Sequence, residues 1–203
     1  MTPVDRFRAQ ALGLGSATLY EAAGRVGALP HQIKPIRDSW RLAGAAYTVR
    51  CDVGDNLAVH RAVAEAPGGA ILVVAANGDP AGYWGEVLTV AAQARGLGGL
   101  VIDGGVRDTV RIEELGWLTW ARAVAIAGCD KKQPGEIGGV VTISDVEART
   151  GDFVVADRDG VVVIPAARAA EVLATGAARA SRESDLFERL RAGELTLDLL
   201  GLR

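Results

Sequence analysis

The sequence predicts an α/β fold built around a parallel sheet, and three observations carry that reading. Continuous apolar runs of strand length stand at Ala70–Ala75 and Gly99–Asp103, the pattern of strands buried on both faces. A segment with helical spacing, Gly85–Arg95, lies between them and completes a β-loop-α-β unit. The 26 glycines fall mostly between apolar runs, where they read as turns.

Taken in order, Thr18-Leu19-Tyr20-Glu21 has the form of a capping box, so the first helix is expected to start near Thr18 and to stop by Gly24 and Gly27. Pro30 and Pro35 mark a loop. Arg41 to Cys51 mixes small, apolar and β-branched residues as a strand does, and Asp55-Asn56 caps a helix that runs to about Ala66. After the strand at 70–75 and the loop Asn77-Gly78-Asp79-Pro80, the next helix carries Val87, Val90, Ala91 and Ala94 at helical spacing. Thr109–Leu115 reads as a short helix, with Leu118–Ala127 and Val140–Val146 as single strands. Phe153–Ala156 and Val161–Ile164 flank the turn residues Asp157-Arg158-Asp159-Gly160 and form a hairpin. A long helix rich in alanine, arginine and glutamate follows Pro165, over roughly 166–192.

Composition narrows the function. With 49% hydrophobic residues, 203 residues are ample for a core, and one domain with appendages is the simplest division. Twenty-two basic against 25 acidic residues give a net charge of −3 with no basic block, which argues against nucleic acid as a ligand. No stretch approaches a membrane span and the start of the chain lacks a signal peptide's apolar centre, so the expected location is the cytoplasm, away from membranes. Cys51 and Cys129 stand alone, in keeping with a reducing compartment. No dinucleotide or nucleotide loop and no nucleophile elbow is present.

The chemistry concentrates at Gly99-Leu100-Val101-Ile102-Asp103-Gly104-Gly105-Val106-Arg107-Asp108. A strand ends in two glycines that are expected to turn the backbone, and a cation and a carboxylate follow at once. Arg107 suits a planar carboxylate and Asp108 a hard divalent metal. The loop at 76–86 and the turn at 104–108 are expected at the carboxyl ends of adjacent parallel strands, where open α/β sheets bind ligands. Elsewhere, Glu183 sits in the middle of the apolar stripe Leu186, Phe187 and Leu190 of the last helix. Its partner is either an arginine on a packed helix or a group in a second subunit's site. His60 reads as a packed histidine, His31 as loop, Asp55 as a helix cap, and Asp157 and Asp159 as turn residues.

Several segments together resemble the class II 4-hydroxy-4-methyl-2-oxoglutarate / 4-carboxy-4-hydroxy-2-oxoadipate aldolases, which share a fold with the RraA regulators of ribonuclease E. They are Gly54-Asp55-Asn56-Leu57, Gly85-Glu86-Val87-Leu88, Gly104-Gly105-Val106-Arg107-Asp108, and Gly151-Asp152 with Ala156 to Pro165. The tail 191–202 also looks like the aldolase branch. The resemblance implies a three-layer β/β/α swivelling-domain fold with a long C-terminal helix: a catalytic domain at 1–165, and an extension at 166–203 packing on a neighbouring subunit. It implies a homotrimer or a dimer of trimers with sites between subunits. By the same resemblance, Asp108 holds Mg²⁺ or Mn²⁺ largely through water. Arg107 binds the carboxylate of a 2-oxo acid, backbone amides of Gly85, Glu86, Val87 and Leu88 touch it, and Glu183 of the adjacent subunit approaches the metal through water. Cleavage of the substrate releases pyruvate, oxaloacetate decarboxylation is a companion activity, and Glu86 or Glu183 steers the water that carries the proton. The other reading is a non-catalytic regulator that binds ribonuclease E or a helicase. In that branch the position after the arginine is not aspartate, whereas Asp108 is present here.

Overall fold

The structure, a computed structural model, describes residues 2–203; Met1, included in the domain drawn from residue 1, lies outside them. The chain opens with helix α1 (Pro3–Ala22), started by a capping box between Thr2 and Asp5. The Thr18 signal is therefore internal to a longer helix. What does break α1 is Gly15, whose φ of 79° and ψ of 166° are non-helical. The second half is restarted from outside: Asp157 accepts from the backbone N–H of Ser16 at 2.7 Å and from its hydroxyl at 2.6 Å. A carboxylate at a fresh helix start satisfies donors that have no partner within the helix. Asp157→Ala is expected to lower stability by about 1–2 kcal/mol, read from urea denaturation.

The strands and helices that follow are β1 (Lys34–Pro35), β2 (Leu42–Arg50), α2 (Leu57–Glu65), β3 (Ile71–Ala75), β4 (Gly82–Trp84), α3 (Glu86–Ala94), β5 (Gly99–Val106), α4 (Thr109–Glu114) and β6 (Thr119–Val124). Then come β7 (Glu136–Ile137), β8 (Val140–Ile143), β9 (Val146–Arg149), β10 (Phe153–Ala156), β11 (Val161–Ile164), α5 (Ala169–Arg191) and α6 (Thr196–Leu199). One sheet runs in the order β1-β6-β5-β3-β2-β10-β11, with β4 added to β5 and β7 to β2. Its centre, β6-β5-β3-β2, is parallel; β1, β10 and β11 are antiparallel additions. The segment before β2 joins the two margins: Ala28 bridges to Val162 of β11, and Lys34 and Pro35 pair with β6. The sheet therefore curls, placing β-layer against β-layer around a core that includes Ile71, Val73, Leu100, Ile102 and Trp120. A second cluster of Ala11, Leu19, Phe153, Ile164, Val172 and Leu173 fixes α1 and the first half of α5 onto β10 and β11.

Two expectations are corrected here. Val140–Val146 is not one strand; it turns at Ser144, whose φ is 57°, so β8 and β9 form a hairpin. Nor do Gly104 and Gly105 turn the chain, since β5 runs through them to Val106. They are glycines because backbone crosses them: a Cβ on Gly105 would stand 2.0 Å from the Pro80 carbonyl oxygen, and one on Gly104 2.8 Å from Ala76 Cβ. This close approach lets β4 lie against the extended end of β5. The buried face of α3 is also rotated from expectation: Leu88, Thr89 and Ala92 are buried, whereas Val87 and Val90 are exposed.

Candidate active site

Register confirms the β-loop-α-β unit, because Ala75 of β3 lies opposite Asp103 of β5 in parallel pairing. The loop after β3 and the residues after β5 thus meet at one end of the sheet, beside the start of α3. Asp108 supplies the sharp turn expected at the glycines. It adopts left-handed backbone geometry, φ 56° and ψ 35°, which aspartate tolerates better than most residues. It precedes α4 without capping it. Its carboxylate reaches instead to α3, where Oδ2 accepts from the Glu86 backbone N–H at 3.1 Å and lies 3.8 Å from Arg107 Nε.

Arg107 and Asp108 are both nearly half exposed. An ion pair so open to water contributes no more than about 1 kcal/mol, so stability does not account for the arrangement. Around the arginine the chain is pared to glycine. A Cβ on Gly82 would stand 3.3 Å from Arg107 Cδ, one on Gly85 3.0 Å from its Cγ and 2.5 Å from Asp108 Oδ2, and one on Gly128 3.3 Å from its Nη1. Gly85 is also the residue before α3 and offers no capping side chain. The backbone N–H groups of Val87 and Leu88 consequently find no partner among the described residues. A guanidinium, a carboxylate and two free amides at a helix start therefore share one corner, able to take an anion and a cation together. On the α4 side of Arg107 and Asp108 a cavity of about 490 Å³ opens, lined also by Val110, Arg111, Val124 and Ile126.

The other sequence candidates sit as follows. Glu86 exposes its backbone to Asp108, but its side chain is paired with Arg111 at 3.0 Å. Glu183 bonds Arg179 one turn earlier on α5 at 2.8 Å and makes no ion pair or hydrogen bond to Arg107, Asp108 or Glu86 within the chain. Next to Gly85, Trp84 is buried and stacks on Trp117 with ring centroids 6.0 Å apart, so it belongs to the core. Burial, aided by the charge of Lys131, lowers the pKa of His60, as expected of a packed imidazole. Burial likewise pushes the thiols of Cys51 and Cys129 up to about 12 and about 11.

Sequence reasoning missed Asp79 and Tyr83. The Tyr83 hydroxyl donates to Asp79 Oδ2 at 2.6 Å, and the Gly54 N–H donates to the same oxygen at 2.9 Å. Their spacing, four residues across a loop, carried no periodic signal. The Tyr83 hydroxyl is the main cause holding Asp79 below the ordinary 3.8; the Ala81 and Gly54 amides reinforce it against burial. A depressed carboxylate stabilises the fold above its unfolded pKa and loses that contribution as the pH falls through the folded value. Tyr83→Phe is expected to cost about 1–2 kcal/mol at pH 7 and to show a smaller further loss at pH 3 than the unaltered protein, measured by urea melts.

Among the described residues no group of three or more histidine, cysteine or acidic side chains is gathered to hold a metal. A single open carboxylate does fit a hard divalent ion that keeps most of its waters. No helix among them is long and apolar enough to cross a membrane.

Comparison with known proteins gives the family of the chain. The RraA-like family, described as Aldolase/RraA, matches residues 16–163, and that stretch contains every element of the corner. The chain belongs to this family. A relative in Halalkalibacterium halodurans, provisionally named 4-hydroxy-4-methyl-2-oxoglutarate aldolase, is 36% identical over 146 residues, covering 71% of this chain and 70% of the relative. A solved structure of an uncharacterized protein from Pseudomonas syringae pv. tomato is 25% identical with a TM-score of 0.82, covering 96% of this chain and 97% of that one. The RNA-processing inhibitor RraA from Thermus thermophilis is 29% identical with a TM-score of 0.67, covering 73% and 91%. The α/β architecture with its curled sheet and long last helix is thus that of RraA-fold proteins.

Proposed function

We propose that the protein is a divalent-metal-dependent aldolase that cleaves 4-hydroxy-4-methyl-2-oxoglutarate or 4-carboxy-4-hydroxy-2-oxoadipate to pyruvate and a second keto acid. The observation that carries this is Asp108, turned away from its own helix and held beside Arg107 and the free amides of α3. The aldolase names among the relatives support it. Arg107 grips the substrate's carboxylate by its planar fork, and the Val87 and Leu88 amides complete the cradle. Asp108 holds Mg²⁺ or Mn²⁺. When bound, such an ion acts as a Lewis acid that stabilises the negative charge of pyruvate's enolate, and the same stabilisation accounts for oxaloacetate decarboxylation as a companion activity. Glu86, oriented by Arg111, or Glu183 steers the water that carries the proton.

Glu183 enters from a neighbouring subunit in a homotrimer or pair of trimers. Two surfaces support such an assembly. The cleft is lined by exposed Val110, Val124 and Ile126, the last 96% exposed, and apolar rims of this kind mark interfaces. The buried residues of α5 all lie between Ala169 and Gly176, which leaves the half bearing Glu183 and Phe187 free for a partner.

The test is pyruvate release, coupled to lactate dehydrogenase, from a panel of 4-hydroxy-2-oxo diacids and oxaloacetate. Turnover is expected to vanish with EDTA and to return with Mg²⁺ or Mn²⁺. A second reading, a binding protein acting on RNA processing through ribonuclease E or a helicase, is favoured by the likeness to the Thermus inhibitor. It gives no turnover with any metal, together with measurable affinity for such a partner.

A further inference from the structure

We infer that Asp55 is a positioning residue for this site: its carboxylate tethers the connection between β6 and β7 against Arg107 and thereby sets the pocket that grips a 2-oxo acid's carboxylate. The inference rests on the reading of Arg107 as the carboxylate ligand.

Asp55 is buried, 4% exposed, and does two jobs with two oxygens. Oδ1 accepts from the Leu57 N–H at 2.9 Å, a turn that leads the chain into α2; the N-cap itself is Asn56, which makes no side-chain cap bond, so the cap expected of Asp55 is not formed. That turn needs only one oxygen. Oδ2 accepts from the N–H groups of Lys132 at 2.6 Å and Gln133 at 3.1 Å, far along the chain and in no helix or strand. Burial opposes the charged form, yet the amides of Leu57, Lys132 and Gln133, with the charge of Lys132, hold this carboxyl below its ordinary value. Beside it the two stretches are stitched by backbone: Asp130 N–H donates to the Gly54 carbonyl at 2.8 Å, and Asn56 N–H to the Asp130 carbonyl at 3.0 Å.

The upstream part of the same connection forms the wall beside Arg107. Ala125 N–H donates to the Val106 carbonyl at 2.9 Å, Gly82 N–H donates to the Ala127 carbonyl at 2.7 Å, and Gly128 faces Arg107 Nη1. Between β6 and β7 the connection has no strand or helix, only the single bridge of Asp130 to Asp55. Its placement therefore depends on contacts from outside, and two of them end on one carboxylate oxygen. Releasing that oxygen leaves residues 128–133 held by the backbone bonds of Asp130 alone, with the charge of Arg107 in place, so substrate binding suffers more than the chemical step.

The experiment compares Asp55→Ala and Asp55→Asn in the full chain. Asparagine keeps one acceptor oxygen, which holds the Lys132 and Gln133 amides when turned toward them and gives up only the turn bond to Leu57. Asp55→Ala is expected to speed amide hydrogen exchange across 128–133 by about tenfold or more without substrate, and to raise KM for oxaloacetate by about tenfold with kcat within about threefold. Asp55→Asn is expected to stay within about twofold of the unaltered protein in both, even where its melting temperature falls. Exchange in Asp55→Ala unchanged from the unaltered protein overturns the tether. Faster exchange with unchanged KM and unchanged calorimetric affinity for pyruvate overturns the positioning role. Should the unaltered protein bind no pyruvate and turn over no oxaloacetate, the carboxylate reading of Arg107 fails and takes the positioning role with it, while exchange still reports on the tether.

Discussion

Asparagine in place of Asp108 is expected to lower metal-dependent pyruvate release by about 100-fold or more while the melting temperature moves by no more than about 2 °C. The variant keeps the size of the side chain and, like aspartate, accepts the left-handed backbone at this position, where alanine would add strain. It removes the one full negative charge that the corner offers a cation. Little stability goes with it, because the ion pair to Arg107 is open to solvent and long. The coupled assay with saturating Mg²⁺ and a thermal melt check both halves. Activity close to that of the unaltered protein would take Asp108 out of the metal role.

Alanine in place of Gly105 is expected to have the largest effect on the fold. Its methyl carbon would lie 2.0 Å from the Pro80 carbonyl oxygen and 2.5 Å from that of Ala81, and neither is a flexible side chain that can swing aside. The crossing backbone has to move, at a cost of about 4 kcal/mol or more, a large part of the roughly 5–15 kcal/mol that holds a domain together. A fall in melting temperature of more than about 10 °C, or insolubility, is expected. Gly139→Ala is the control, since a Cβ there meets nothing within 4 Å and is expected to shift the melt by only a degree or two. Because β4 lies on the stretched end of β5, any Gly105→Ala protein that remains folded is also expected to bind pyruvate weakly.

Much of this fold was legible because its central strands are continuous apolar runs. Ile71–Ala75 and Gly99–Ile102 have no polar face to confuse the reading, and hairpin β10–β11 announces itself by Asp157 to Gly160. What was not legible depended on contacts distant in sequence. Gly104 and Gly105 look identical in sequence whether a chain bends at them or another backbone crosses them, and only the crossing by 79–82 tells the two apart. Val87 and Val90 have helical spacing, yet the face they mark points outward, because Leu88 and Ala92 carry the buried face. Arg107 and Asp108 were readable as a charged pair after a strand, whereas the pairing of the Glu86 side chain with Arg111 was not. The tether of Asp55 to Lys132 and Gln133 spans a separation that no local pattern encodes.

The segment from Ala28 to Pro35, which ties β11 to β6, also covers both margins of the main sheet. An uncovered outer strand carries a row of unsatisfied amides and carbonyls on which a foreign strand can grow, the common start of runaway fibre formation. Here Ala28 and Leu29 occupy one such row and Lys34 with Pro35 the other, and Pro35 has no amide hydrogen to offer. A foreign strand therefore finds neither margin of the main sheet open to it.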